Sequence, residues 1–457
     1  MNVLIAGAGP TGLTLAIDLA RRGVPVRVVD KAAEHFTGSR GDGLQPRTLE
    51  VFDDLGVIDT VLAQSLASPL ISIHVDGAVV GERHFHTPTG PRPDRPYPDG
   101  RMLGQSRTEA ILRDKLAEYG VRVELGTELL HFTQDADGVT ATLATGEEVR
   151  ADYLVGADGG HSTVRKALGI PFEGVTDESI RMLAGDVSAK ELDHAKGHWF
   201  ARADNPVEGV LLTPLSGGEQ FQFAAPLVHD GVRPDLESLQ AVLDAYAGPG
   251  AVTLHDLTWV TVWRSNVRLA QRFREGRVFL AGDSAHVHPP TGGQGLNTGV
   301  QDAYNLGWRL ADGREEVLAD YERERRTNAL RVLGISTDLL RKHLDGDERA
   351  LERGEDTRQL DVSYRDPADT SRVTTGDRAP DAPLTAPDGG TLRLFDLFRG
   401  PHETLLRFEP TTAARHPHTV DLFRAPGRDG YCAPLAFTYY DAADGTELLV
   451  RPDGYLG

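Results

Sequence analysis

Gly282-Asp283-Ser284-Ala285-His286-Val287-His288-Pro289-Pro290-Thr291-Gly292-Gly293-Gln294-Gly295-Leu296-Asn297 follows directly on the apolar run Val278-Phe279-Leu280-Ala281. That run is short and dense enough for a strand buried on both faces. The stretch after it holds too many glycines and prolines for regular structure at first, and its pattern turns helical from about Leu296 to Leu310. Strand, carboxylate, glycine-rich turn and helix start, in that order, describe a ligand-contacting turn. Asp283 offers a carboxylate to a sugar-like hydroxyl, and the amides of the turn and the helix start offer N–H groups to an anion. Residue chemistry alone leaves that ligand unnamed.

Two other stretches share the design. Val3-Leu4-Ile5-Ala6 reads as a buried parallel strand, and Gly7, Gly9 and Gly12 after it supply a tight turn, close approach to a pyrophosphate and close strand–helix packing. Pro10 and Thr11 open a helix with Leu13, Leu15, Ala16 and Leu19 on its inner face, which ends at Gly23. A second strand, Pro25 to Val29, finishes at Asp30-Lys31, where an acid can hold a ribose hydroxyl. The glycine spacing alone is a weak signal, whereas strand, glycines, helix, strand and acid together predict dinucleotide binding. The third stretch is the strand Ala151 to Ala157, which runs into Asp158-Gly159-Gly160-His161-Ser162-Thr163-Val164-Arg165.

Gly282-Asp283, Ala285-His286, Pro289-Pro290, Gly293-Gln294-Gly295 and Asn297 resemble the second flavin motif of the class A FAD-dependent aromatic hydroxylases. Gly7 to Gly12 is similar to their ADP-binding fingerprint, and Asp158 to Arg165 to their Asp-Gly motif. The likeness spans nearly the whole chain and is closest to hydroxylases of aromatic polyketides and antibiotics, rifampicin monooxygenases among them. It implies FAD as cofactor, with NADPH or NADH binding transiently because the chain has one dinucleotide fingerprint. In that family, reduced flavin and dioxygen give a 4a-hydroperoxide that transfers oxygen to an electron-rich ring.

The resemblance assigns Gly7, Gly9, Pro10, Thr11, Gly12, Asp30, Lys31, Arg40, Gln105, Asp158, Asp283 and Gly295 to FAD. It gives the reaction itself to Pro290, bordering the oxygen-transfer pocket, and to the backbone amides of Gly293, Leu296 and Asn297, which face the flavin pyrimidine. Arg47 joins Arg40 near the cofactor, and Arg165 closes on phosphate or nicotinamide. Solvated surface arginines, a helix-capping Gln105 and a purely structural turn at Asp158 are the competing readings. Baeyer–Villiger oxygenation and a non-catalytic flavin sensor are the rival functions. A halogenase is not favoured, since Trp259-Val-Thr-Val-Trp263 lacks the spacing of the halogenase Trp-x-Trp-x-Ile-Pro motif.

The expected fold is α/β. A Rossmann-like FAD-binding domain (1–70, 101–171 and 265–365) carries an inserted β-rich substrate domain (71–100 and 172–264), and 366–457 form a linker and a reduced thioredoxin-like domain. The linker runs from Asp366 to Pro387, and the proline-rich loop Thr87 to Gly100 goes with the substrate domain. Trp199, Phe223, Trp263 and His288 are the substrate-contacting candidates, on the expectation that an aromatic-bearing sheet roofs an apolar ligand. His286-x-His288 has no third clustered ligand, so no metal is expected.

A formal net charge of -20 over 457 residues speaks against a nucleic-acid partner. No apolar run approaches the ~18–20 residues of a membrane helix, and a strand follows Met1-Asn2 directly, so a cytoplasmic protein is expected. Cys432 is the only cysteine. Redox chemistry must then come from a cofactor, since thiol pairs are excluded. The expected partners are a small aromatic substrate and dioxygen, with a homodimer as the assembly to test.

Overall fold

The computed structural model describes all residues except 85–87, 228–231, 290–291, 346, 348–353 and 413–415. Its first sheet has the order Arg274–Glu275, Val278–Leu280, Tyr153–Gly156, Val3–Ala6, Val26–Val29, Val123–Glu124. All neighbours are parallel except the first pair. Val3–Ala6 and Tyr153–Gly156 are buried throughout, as strands covered on both faces must be. In-register pairing of Ala6 with Val29 and Gly156, and of Gly156 with Leu280, brings four strand ends to one edge. Gly7, Asp30, Asp158 and Asp283 leave the sheet there together, the edge at which open α/β sheets bind ligands.

The second sheet has eight strands in the order His286–Val287, His255–Ala270, Phe172–Ser188, Gln220–Pro226, Asn205–Pro214, Gly197–Arg202, Ile71–Val75, Ala78–Arg83. Its central strands are long rather than short, and Phe172 pairs with Ala270. The sheet therefore runs past the expected limit at 264 and takes in 286–287, joining it directly to the Gly282 turn. The helix Leu236–Ala247 covers one side, with Leu239 and Leu243 fully buried among Leu183, Val187, Phe221 and Phe223.

A third sheet, at the C-terminal end, has six strands, with short helices Leu394–Phe398 and Pro434–Tyr439. Its first strand is Pro383–Thr385, so the connecting segment ends before the expected Pro387. Arginines dock this unit on the acidic helix Pro46–Asp54: Arg378 bonds Glu50, and Arg393 Nη2 meets Asp53 Oδ2 at 3.1 Å. The proline-rich loop departs from its expected place with the substrate domain. Asp94 O accepts from Asp381 N at 3.3 Å, and Arg95 pairs with Glu355 at 2.5 Å. Among the described residues, no helix is long and apolar enough to cross a membrane.

Candidate active site

Three glycines hold the carboxyl edge closed. A Cβ on Gly7 would stand 2.2 Å from Ala157 O, one on Gly12 2.0 Å from Gly7 O, and one on Gly282 2.6 Å from Thr11 Oγ1. Thr11 is therefore a packing residue between the first helix and the Gly282 turn. At Gly9 a Cβ would meet no protein atom within 4 Å, so this glycine borders open space. The helix Pro10–Arg21 begins at that point without a side-chain cap or an acid in its first turn, and Pro10 lacks an N–H where none is needed. Asp30 closes the same corner, its Oδ2 accepting from Ala8 N at 2.8 Å and its Oδ1 from Ala32 N at 2.8 Å. Lys31 beside it is exposed.

Asp158 caps the short helix Thr163–Ala167 through Oδ2, which accepts from Thr163 N at 2.7 Å and Val164 N at 3.2 Å. Its Oδ1 is buried with no partner among the described residues. Asp283, at the equivalent place on its own strand, has no hydrogen bond or ion pair among them either. The side chain is accessible from the cleft while protein surrounds it, and the resulting desolvation pushes its carboxyl above the usual range, against the pull of His286 and Arg40. Arg40 is exposed, its guanidinium 4.7 Å from the Phe36 ring. Gln105 donates to Glu109 at 2.8 Å, and its amide oxygen has no hydrogen bond among the described residues.

The helix Gly295–Asp312 starts over this edge, uncapped by any side chain and without an acid in its first turn. The amides of Gly295, Leu296 and Asn297 have no intrahelical acceptor. Gly293, with φ of 62°, takes the left-handed turn before the helix. The Asn297 side chain is fully engaged: Oδ1 accepts from Gln45 N at 2.7 Å, and Nδ2 donates to Gly43 O and Gly293 O, both at 2.8 Å. Asn297 thus staples the 43–45 segment to the helix and has only its amide to offer. A Cβ on Gly295 would lie 3.6 Å from His288 Cε1. Desolvation pushes the His288 imidazole down to about 4, and its buried Nε2 has no partner among the described residues. Pro290 lies outside the described residues.

Behind the turn stands a residue that the sequence motifs do not single out. Asp302 Oδ2 accepts from Gly282 N at 2.9 Å and from His286 Nε2 at 2.7 Å, while its Oδ1 accepts from Arg325 Nε at 2.7 Å. A carboxylate only accepts, so His286 carries its proton on Nε2. His286 is structural, and Asp302 fixes the backbone of the motif. No group of metal-ligating side chains occurs among the described residues.

Several expected positions differ. Arg47 lies away from the cleft, donating to Glu50 at 2.8 Å and Asp453 O at 2.6 Å and covering Tyr455. Arg165 gives its guanidinium to Ser284 O at 2.8 Å and Gly160 O at 2.9 Å, tying two motif loops together instead of facing phosphate. Phe223 points into the core under the helix Leu236–Ala247. Its strand alternates, so Gln222 and Ala224 face the cleft in its place. Trp263 and Trp199 share that cleft-facing side with Trp259, but three strands separate Trp199 from Trp263, and Trp199 Nε1 donates to Pro206 O at 3.2 Å.

FAD fits these residues: open space at Gly9, two uncapped helix starts for a pyrophosphate and a flavin ring, and unpaired oxygens on Asp158 and Asp283 for hydroxyls. Replacing Asp283 with alanine should raise the FAD dissociation constant about 10- to 150-fold, the ~1.5–3 kcal/mol of a charge-assisted hydrogen bond. Fluorescence titration of the apoprotein measures it, and an unchanged constant would make Asp283 purely structural.

The FAD binding domain family matches residues 1–336. A flavin-dependent monooxygenase of Mycobacteroides abscessus is 43% identical over 100% of this chain and 96% of its own length. The 12-dehydrotetracycline 5-monooxygenase/anhydrotetracycline 6-monooxygenase of Streptomyces rimosus is 34% identical over 100% of this chain and 94% of its own. Aklavinone-11 hydroxylase, solved with FAD and aklavinone, superposes with a TM-score of 0.83 at 27% identity, covering 100% of this chain and 94% of that one. With the glycine fingerprint, the Asp158 loop and the Asp283 turn assembled on one sheet edge, the chain belongs to the FAD-binding family of flavin-dependent aromatic monooxygenases.

Proposed function

We propose that this enzyme uses NADPH or NADH and dioxygen to hydroxylate a hydroxylated, polycyclic aromatic compound of the polyketide or antibiotic type, in the cytoplasm. The observation that carries the reading is the half-accessible, tryptophan-bearing face of the second sheet, whose edge strand His286–Val287 continues directly from the turn that carries Asp283. Bound FAD supplies the electron transfer and oxygen activation. The chain's own part is positioning: Asp283 and Asp158 hold hydroxyls, the two helix starts neutralise negative charge, and the sheet face excludes water from the ring being oxidised. With one dinucleotide fingerprint, which FAD would fill, the nicotinamide nucleotide binds in passing. By their names, two of the proteins above act on 12-dehydrotetracycline and anhydrotetracycline and on aklavinone, which supports the substrate class.

The test is a screen of hydroxylated aromatics for those that accelerate NAD(P)H oxidation by the FAD-loaded protein. Acceleration by fused-ring phenols is expected. No acceleration by any of them would favour a flavin-binding sensor.

A further inference from the structure

On the cleft-facing side of the second sheet, Asp186 pairs in register with Gln222 on one neighbour and Trp259 on the other. Ala184, Ala224 and Thr261, small and half-accessible, form a floor beside it, with Trp263 further along. Asp186 itself is 2% exposed, and its Oδ1 has no hydrogen-bond partner among the described residues. The elements packed against it contribute few groups. The loop opposite brings the amide and hydroxyl of Ser39 and the carboxyl of Asp42; the neighbouring strands bring Gln222, whose amide donates to Ser39 O, and Trp259, which lies against Gly38 and edge-on to Phe36.

Burial pushes the Asp186 carboxyl up to about 7; Ser39 works against that shift and Asp42 adds to it. A raised carboxyl makes the folded state bind its proton more tightly, so its contribution to stability falls as pH rises from the unfolded value toward about 7. Replacing Asp186 with asparagine removes that loss. The melting temperature of Asp186→Asn should gain on the wild type by a few degrees between about pH 5 and about pH 8, and a pH-independent difference would place the ionisation elsewhere.

A buried carboxylate oxygen without a donor is disfavoured unless something else supplies one. Ser39 serves the carboxyl through its amide and hydroxyl, while Oδ1 has no partner among the described residues. We propose that Asp186 accepts the proton of the substrate's ring hydroxyl. The substrate O–H bond breaks and an O–H bond forms on Oδ1. The electron pair stays on the phenolate oxygen and enriches the ring carbon that is to be oxygenated; as the oxygenated ring regains aromaticity, that carbon loses its C–H proton to solvent and the Asp186 proton returns to the ring oxygen. The reaction in this statement rests on the hydroxylase reading; the binding and ionisation do not.

The probe is quinizarin, a dihydroxylated anthraquinone whose colour reports the ionisation of its ring hydroxyl. It is titrated into the FAD-loaded wild type, Asp186→Asn and Asp186→Glu without reductant at about pH 8, above the Asp186 value of about 7 and below the pH at which the free dye ionises. The wild type should bind the dye as the anion, Asp186→Asn should bind it neutral, and Asp186→Glu should restore part of the anion. Turnover of any accepted phenol should fall about 100-fold in Asp186→Asn, as expected when a general base is removed, with loss of the limb near pH 7 in the rate profile. The inference is overturned if the dye binds wild type and Asp186→Asn in the same ionisation state, or binds neither. Failure of every phenol to stimulate NAD(P)H oxidation would sink the hydroxylase reading alone, since the dye comparison needs neither reduction nor oxygen.

Discussion

A Gly12→Val protein should emerge colourless, and a Gly9→Ala protein should fold and still lose most of its FAD. The two glycines look alike in the fingerprint but act differently. At position 12 a Cβ would stand 2.0 Å from the backbone oxygen of Gly7 and 3.4 Å from Ile5 Cγ2. The first is backbone, which cannot rotate away, so the helix must leave the strand and the turn opens. At position 9 the added methyl meets no protein. It enters the space beside the uncapped helix start, where the pyrophosphate needs the backbone close. Overpacking of that kind amounts to about 1–3 kcal/mol, a rise of about 5- to 150-fold in the FAD dissociation constant. Flavin absorbance per protein and circular dichroism separate the two cases. A yellow Gly12→Val protein would remove the fingerprint reading, and full FAD retention by Gly9→Ala would place the pyrophosphate elsewhere.

Replacing Asp302 with alanine is expected to have an effect of similar size through a different route. Asp302 and Arg325 are both 0% exposed. Removing the carboxylate leaves a buried guanidinium with only Tyr364 OH and Thr298 O as partners, strands His286 Nε2 and frees Gly282 N. Breaking one partner out of a buried ion pair costs about 3–5 kcal/mol. Because Gly282 N is one of the bonds lost, the turn carrying Asp283 loosens as well, and FAD affinity should fall with stability. Thermal unfolding of the apoprotein and FAD titration measure the two losses. An unchanged melting temperature would show that the network contributes little.

The parts of the site built from backbone were legible in the sequence, because their physics is local. Gly12 is a glycine on account of the Gly7 oxygen one turn away, Gly7 and Gly282 take positive φ in the turns that directly follow apolar runs, and the acids at 30, 158 and 283 sit at the ends of apolar runs that can only be buried strands. The residues misplaced were those whose partners are distant. Arg47 is bound to Asp453, about four hundred positions along the chain, and no local pattern distinguishes it from Arg40. Phe223 was off by one strand position: period-two alternation puts Gln222 and Ala224 on the cleft side, but only the location of the helix Leu236–Ala247 says which side is the cleft. Asp186 and Asp302 carry no motif signal. Each is an acid in an otherwise ordinary strand or helix, and its meaning appears only when burial and missing or shared partners are seen. The loop from 88 to 100 was legible as irregular from its prolines, while its attachment to residues 355–393 depends on ion pairs across the fold.

The most direct test of the oxygenase reading is the origin of the oxygen in the product. With labelled dioxygen, NAD(P)H and an accepted aromatic, the FAD-loaded enzyme should place one labelled atom in a hydroxylated ring, and labelled water should contribute none. Poor substrates should give hydrogen peroxide in place of product. A ring-expanded ester carrying the label would keep the oxygenase and change the reaction to Baeyer–Villiger oxidation; label arriving from water alone would contradict oxygen transfer from dioxygen altogether.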